Sequence, residues 1–360
     1  MRPNQYIYIL LSLFLIFSCD DNSVEPLVCS EGLTNVDGVC QLCSEGLTEI
    51  DGKCIYSCEG GITECYYQGD LDVIQDIFDL NDGFSEVNFS MDEQIWTDGR
   101  LTKLFLHLRN IDTLPESISN LNNLEELILS STGLSTLPET IGELSNLTHL
   151  SLWGNELTSL PESIGNLNNL EELYLELNQI SQLPDQIGDL NSLTFLGLDK
   201  NQLITLPESF SQLVNMKELK LEGNQLTSIP DSIGNMINLE HLNLNENQLI
   251  SLPESFIELK SLIVIEIHTN QITNLPNDFG SLENLEDLIL YGNQLITVPE
   301  SIGDLSNLKT LRLDLNQLIS LPQSLCNIPN SCMIKVHLNK LCEEYHYECI
   351  DSWDPQDCGD

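Results

Sequence analysis

The sequence predicts an α/β solenoid, with a parallel sheet of short strands along one side and short helices or turns along the other. Three observations predict it. One pattern recurs every 23 residues from Leu101 onward. Each copy contains Leu-x-Leu, which reads as a strand sending alternate side chains inward and outward. An asparagine and then Leu-Pro follow, the chemistry of a chain that leaves a strand and enters a helix. One such coil cannot bury its apolar positions alone, whereas stacked neighbours bury them continuously.

The repeats begin at Leu101, Leu124, Leu147, Leu170, Leu193, Met216, Leu239, Leu262, Leu285 and Leu308, with a half-repeat from Ser331. No insertion breaks the register. A clean copy runs Leu170-Glu-Glu-Leu173-Tyr-Leu175-Glu-Leu-Asn178-Gln-Ile180-Ser-Gln-Leu183-Pro184-Asp-Gln-Ile187-Gly-Asp-Leu190. It resembles the leucine-rich repeat family, in the 23-residue class marked by Leu-Pro-x-x-Ile-x-x-Leu. The resemblance implies a curved horseshoe with the sheet on the concave face, short helices or turns on the convex face, and an internal ladder of asparagines. Asn155, Asn178, Asn201, Asn224, Asn247, Asn270, Asn293 and Asn316 occupy the ladder position. Arg109 and Thr132 stand there in the first two repeats, so the ladder is expected to start at Asn155. Ten steps of about 4.8 Å make a sheet roughly 50 Å long. The array is assigned to residues 101–342.

The segments before it read differently. Residues 1–18 carry Arg2 and the apolar run Ile7–Phe17, a signal-peptide pattern too short to span a bilayer as a helix. Ile16-Phe17-Ser18-Cys19 resembles the bacterial lipobox, which implies cleavage before Cys19 and a lipid on its sulfur; a plain secretory signal with a chance cysteine is the alternative. Asp20-Asp21 resembles export signals of surface lipoproteins in some Gram-negative bacteria, although in others an aspartate beside that cysteine retains the protein at the inner membrane. An exported chain, lipid-anchored through residues 19–28 at the outer-membrane surface, is the expectation, with no other membrane contact.

Residues 29–65 hold two copies of a 14-residue unit, Cys29-Ser-Glu-Gly-Leu-Thr-Asn-Val-Asp37-Gly38-Val-Cys40 and Cys43 through Asp51-Gly52 to Cys54. Asp-Gly signals a tight turn, so each unit is expected to form a hairpin. Cys58 and Cys65 add a third pair. Disulfides suit an exported module with so little core, and zinc at Cys40-x2-Cys43 is the rival reading. Residues 66–100 are assigned as a cap, with Leu71, Ile74, Ile77 and Phe78 on one helical face and Trp96 covering the first coil. Residues 343–360 are assigned as the opposite cap. Cys326, Cys332, Cys342, Cys349 and Cys358 gather at that end, an odd number that leaves one thiol unpaired or joined to another chain.

Function is sought on the outward strand positions, where partners of this family usually bind. They hold Phe105, Trp153, Tyr174, Phe195 and Tyr291 together with His149, His241 and His268. Trp153, Tyr174 and Phe195 fall in consecutive repeats and make the best single patch, since exposed aromatics near the middle of a face are typical anchors. The aromatics also suit a sheet surface for their β-propensity alone. A protein ligand is expected, with a glycan as the alternative. His149 with Glu172, and His241 with Glu218, share columns in adjacent repeats and raise the question of a shared ion; isolated surface histidines are commoner, and no metal site is assigned. Asp79-Leu-Asn81-Asp82-Gly83 departs from a calcium loop in its glycine position and lacks the closing glutamate, so it reads as a turn.

The chain carries 13 Lys+Arg against 56 Asp+Glu, a net charge of −43. That argues against nucleic acid and anionic lipid surfaces as partners. Gly-x-Ser-x-Gly, His-Glu-x-x-His and a glycine-rich phosphate loop are all missing, so no enzyme and no cofactor is expected. Eight of the acids follow Leu-Pro or its Ile-Pro or Val-Pro variant: Glu116, Glu139, Glu162, Asp185, Glu208, Asp231, Glu254 and Glu300. Stacked in one column these carboxylates repel, which predicts stabilisation by salt or weakly bound divalent cations. The rival functional reading follows, a structural or adhesive surface protein bridged by such cations.

Overall fold

The computed structural model describes residues 33–36, 39–42, 67–81, 94–107, 110–342, 347–350, 353 and 355–358. The signal segment, Cys19, the tether, Arg109 and the cysteine side chains of residues 29–65 lie outside the described residues. Within that module, β1 (Leu33–Val36) and β2 (Val39–Leu42) pair antiparallel with Val36 opposite Val39, the expected hairpin around positions 37–38.

The repeat array forms one sheet of 12 strands in chain order. β3 (Gln94–Thr97) enters antiparallel to β4 (Arg100–Phe105). Every later pairing is parallel: β5 (Glu126–Ile128), β6 (His149–Ser151), β7 (Glu172–Tyr174), β8 (Phe195–Gly197), β9 (Glu218–Lys220), β10 (His241–Asn243), β11 (Val264–Glu266), β12 (Asp287–Ile289), β13 (Thr310–Arg312) and β14 (Met333–Lys335). From β5 on, each strand is three residues long and its middle residue points inward. Leu173, Leu196 and Leu219 are fully buried there, as are the leucines two places on. The chain therefore has a continuous apolar core between sheet and convex side, while the flanking strand positions remain on the face.

Leu-Pro leads into tight 3₁₀ turns rather than α-helices. Proline sits at the cap, one place before the turn, in an extended conformation (Pro161, φ −68°, ψ 153°), and its carbonyl accepts the first bond from Ile164 N at 3.2 Å. Proline suits the cap because it brings no N–H that would need a partner there. The acids that follow it also have partners in the next repeat. Glu116 accepts from Thr140 Oγ1 at 2.9 Å, Glu139 from Ser163 N at 3.3 Å and Glu208 from Ser232 Oγ at 3.1 Å.

Buried asparagines stitch the coils together. Asn178 Nδ2 donates to Leu152 O (2.9 Å) and Leu175 O (3.0 Å), and its Oδ1 accepts from Leu157 N (3.0 Å). The ladder starts at Asn155, which takes in Thr132 through an Oγ1–Oδ1 bond of 2.8 Å. It runs one rung beyond the expected end, to Asn339, which bonds Leu313 O and Leu318 N at 2.9 Å each.

Glycine packs the convex side. A Cβ at Gly188 would lie 2.3 Å from Ser209 O in the next turn, so only glycine permits that approach. Ile257 stands at the corresponding place in its own repeat, and the following turn shrinks to Phe279–Ser281. A shallow cleft opens there, lined by Ile257, Lys260, Asp278, Gly280 and Ser281 among others.

Both ends are closed. α1 (Gln68–Leu80) buries Val73, Ile74 and Ile77 against the first coil, with Phe78 and Trp96 packed at the margin. Leu71 lies only half-buried, and Val73 takes the inward place expected of it. Asp70 is fully buried, bonded to Arg100 (2.9 and 3.0 Å) and Leu101 N (2.8 Å). Asn81 ends α1: its amide donates to Ile77 O (2.7 Å) and Thr113 O (3.0 Å) and accepts from Asp112 N (2.8 Å). At the far end Cys326–Cys349 and Cys342–Cys358 are disulfides, and Cys332 is buried outside both bridges. Gln356 Nε2 donates to Val336 O (3.0 Å) and Asp357 N to Asn339 O (2.6 Å), which covers the last coil. Among the described residues, no helix is long and apolar enough to cross a membrane.

Candidate functional site on the concave sheet

Parallel register places the outward side chains in rows. Tyr174, Gly197 and Lys220 follow one another across β7, β8 and β9, and Glu172, Phe195 and Glu218 form the neighbouring row. The Tyr174 and Phe195 rings meet with centroids 4.6 Å apart. Tyr174 Oη donates to Glu172 Oε2 at 2.6 Å, and burial with that carboxylate pushes the phenol pKa far up. Lys220 Nζ lies 5.1 Å from the Phe195 centroid and pairs with Glu218 at 3.0 Å.

Of the three expected anchors, the structure brings two together. Trp153 is 42% exposed just beyond β6, with no ring contact to Tyr174 among the described residues. His149 does approach Glu172, at 3.6 Å, with Thr148 Oγ1 2.8 Å from its Nδ1. His241 is exposed and forms no described ion pair with Glu218. No group of three or more metal-ligating side chains occurs among the described residues. Phe105 lies half-buried on β4, well along the sheet from the others.

A second cluster forms further on. His268 and Tyr291 stack at 4.3 Å, and the Arg312 guanidinium covers the other ring at 4.7 Å while holding Asp314 through two bonds of 2.6 and 2.8 Å. Desolvation lowers the His268 pKa below the ordinary imidazole value.

Among the outward positions the sequence does not single out the carboxylates beside the first cluster. Gly197 leaves a gap in its row, and the Glu176 carboxylate fills it: a Cβ there would lie 2.1 Å from Glu176 Oε1. Glu176 Oε2 is buried with no hydrogen-bond partner. Beside it Asp199 accepts from Glu222 N at 2.7 Å, yet burial, with Glu222 and Glu176 nearby, pushes its pKa up to about 6. The only available signal was Gly197, the one glycine between strand leucines.

A raised carboxylate pKa gives a signed prediction. Folded Asp199 holds its proton to higher pH than the unfolded chain does, so its charge weakens the fold increasingly from pH 3.8 to about 6 and fully above that. Asp199→Asn, which keeps the acceptor for Glu222 N, is expected to raise the thermal midpoint at pH 7.5 and leave it unchanged near pH 3.5. A gain of equal size at both pH values would contradict the burial argument.

Short parallel strands, one per 23-residue coil, stacked into one broad sheet face define a repeat-built solenoid. The chain belongs to the leucine-rich repeat family, whose model, a leucine-rich repeat region, matches residues 79–177 and 211–355. No curated protein matches the sequence. Among solved structures it is similar to the ectodomain of the Arabidopsis thaliana receptor kinase GASSHO1/SCHENGEN3 in complex with CASPARIAN STRIP INTEGRITY FACTOR 2. Identity is 27% and the TM-score 0.67, over 76% of this chain and 36% of that one. It is also similar to the plant peptide hormone receptor RGFR1 in complex with RGF2, at 28% identity and TM-score 0.51, over 63% and 42% of the two chains. This chain thus spans well under half of either receptor chain. A chain of the octameric complex of Latrophilin 3, Unc5D and FLRT2 shares the fold at 24% identity and TM-score 0.58, over 72% and 84%.

Proposed function

We propose that this chain is an exported, non-enzymatic binding module, anchored through a lipid on Cys19 at the bacterial outer surface, whose concave sheet recognises a protein ligand. The observation that carries the reading is the Tyr174–Phe195 ring pair, half-buried in the middle of an open face, with Trp153 exposed one strand away. Aromatic rings held by their neighbours offer large contact area at little entropic cost. The receptors GASSHO1/SCHENGEN3 and RGFR1, each solved with a bound partner, lend support to a protein or peptide as ligand class.

The test is capture of secreted and surface proteins by the full chain and by a Trp153→Ala, Tyr174→Ala double variant. Loss of capture by about tenfold or more is expected if these are anchors. Unchanged capture by a variant with an unaltered circular-dichroism melt rejects the concave site.

A further inference from the structure

Where the chain leaves the strands, it lays three exposed columns along the flank between sheet and convex turns. Glutamine stands at every 23rd position from Gln202 to Gln317. A second column runs Ile204, Thr227, Ile250, Thr273, Ile296 and Ile319. A third, from Thr205 to Ser320, holds only threonine, serine and asparagine. No charged side chain stands in any of the three. In the same coils the other sides are charged, with Glu218 and Glu266 on the sheet, Glu208 and Glu254 on the convex turns, and Lys217 and Glu240 on the opposite flank.

The columns are held in register by the backbone. Gln248 N donates to Leu226 O at 2.9 Å, and the equivalent bond holds each glutamine of its column. Thr227 N reaches Ile204 O and Thr273 N reaches Ile250 O, both at 3.3 Å. The glutamine side-chain amides form no hydrogen bond among the described residues, so their donors and acceptors face outward. The flank is thus a regular, neutral stripe on a chain of net charge −43.

The order of residues narrows the partner. From Ile204 to Ile296 the second column reads Ile-Thr-Ile-Thr-Ile, the same in both directions. A twofold axis lying in the contact plane and crossing the column at Ile250 sets Ile204 against the partner's Ile296 and Thr227 against the partner's Thr273. Ile250 meets its own copy. The same axis brings glutamine to glutamine, and an amide both donates and accepts. Self-complementarity of this kind is what a symmetric contact requires. Like-charged copies repel through their acidic sides, whereas this stripe brings no charge to the contact.

From these observations we propose that the flank joins two copies of this chain in a symmetric dimer, with both concave faces left open on the same side. The stripe is only about 24 Å long, five steps of about 4.8 Å, so association falls in the micromolar rather than the nanomolar range. The convex acids border the contact, so salt tightens it.

Sedimentation velocity of the full chain from about 1 to 200 µM is expected to show a monomer–dimer equilibrium. It is expected to tighten by about threefold or more between about 0.05 and 0.5 M salt. Ile250→Glu, which faces two carboxylates across the axis, is expected to weaken association by about tenfold or more. Ile237→Glu adds the same charge away from this flank, at an isoleucine equally exposed (58% for each). Its effect is expected to stay below about twofold. Mild oxidation is expected to link Ile250→Cys into dimers but not Ile204→Cys, about 10 Å from the axis. Thermal melts verify that the variants fold.

A monomer throughout that range overturns the dimer, as does association that salt weakens or leaves unmoved. Equal effects of the two glutamate variants overturn it too. Linking of Ile204→Cys as readily as Ile250→Cys overturns the axis and with it the assignment.

Discussion

Phe256→Ala is expected to cost the solenoid about 4 kcal/mol, the usual range for removing a fully buried phenylalanine. Phe256 and Phe279 occupy the Ile position of successive convex turns, both wholly buried, with centroids 6.1 Å apart and rings 12° from parallel. Truncation removes transfer free energy and leaves a ring-sized void. The surrounding leucines are anchored by their own coils and cannot move in to fill it. Phe279 also loses its stacking partner. Urea unfolding measures the loss, and hydrogen exchange locates it, because each coil leans only on its neighbours. Amides near residues 254–285 are expected to exchange faster while those near β5 keep their protection. A loss below about 1 kcal/mol would mean that the convex side repacks freely, against the close packing argued here.

Asn224→Ala ranks second, at about 3 kcal/mol. Its amide donates to Leu198 O (2.9 Å) and Leu221 O (3.0 Å), and its oxygen accepts from Leu203 N (3.0 Å), all in the core. Alanine leaves those groups unpaired where water has little access, at about 1–3 kcal/mol for each group stranded. Asn224→Asp is no rescue. A carboxylate keeps the bond from Leu203 N, loses both donors and adds a buried charge. Asparagine's joint donor and acceptor character is therefore what the position requires. If alanine and aspartate variants unfold at the wild-type urea midpoint, the ladder contributes no stability at this rung.

The repeat was legible because it is periodic. Ten copies of one local pattern average out individual exceptions, so strand, ladder and turn positions follow from the sequence alone. The outward rows could be named as well, since alternation along a strand is a local rule. What escaped were single long-range events. Nothing near Asp70 announces that Arg100 and Leu101 N will meet it in a buried pocket. The pairing of Cys326 with Cys349 depends on how the last coil folds back. The site was half legible for the same reason. Tyr174 and Phe195 follow from the row, whereas Trp153 stands apart, and the Glu176 carboxylate reaches its place only because residue 197 has no side chain.

Ile257 bears on the shape of the binding face as well as on packing. On the sheet side, β10 and β11 stay in register, with His241 opposite Val264 and Asn243 opposite Glu266. On the convex side the same two coils part around the cleft, bridged by Lys260 Nζ reaching Ser281 Oγ at 2.9 Å. Strands held at fixed spacing while their backs separate must bend, so the arc steepens at this joint. The His268–Tyr291 cluster stands beyond this joint and the Tyr174–Phe195 patch before it, so the two aromatic groups lie on separate segments of the arc.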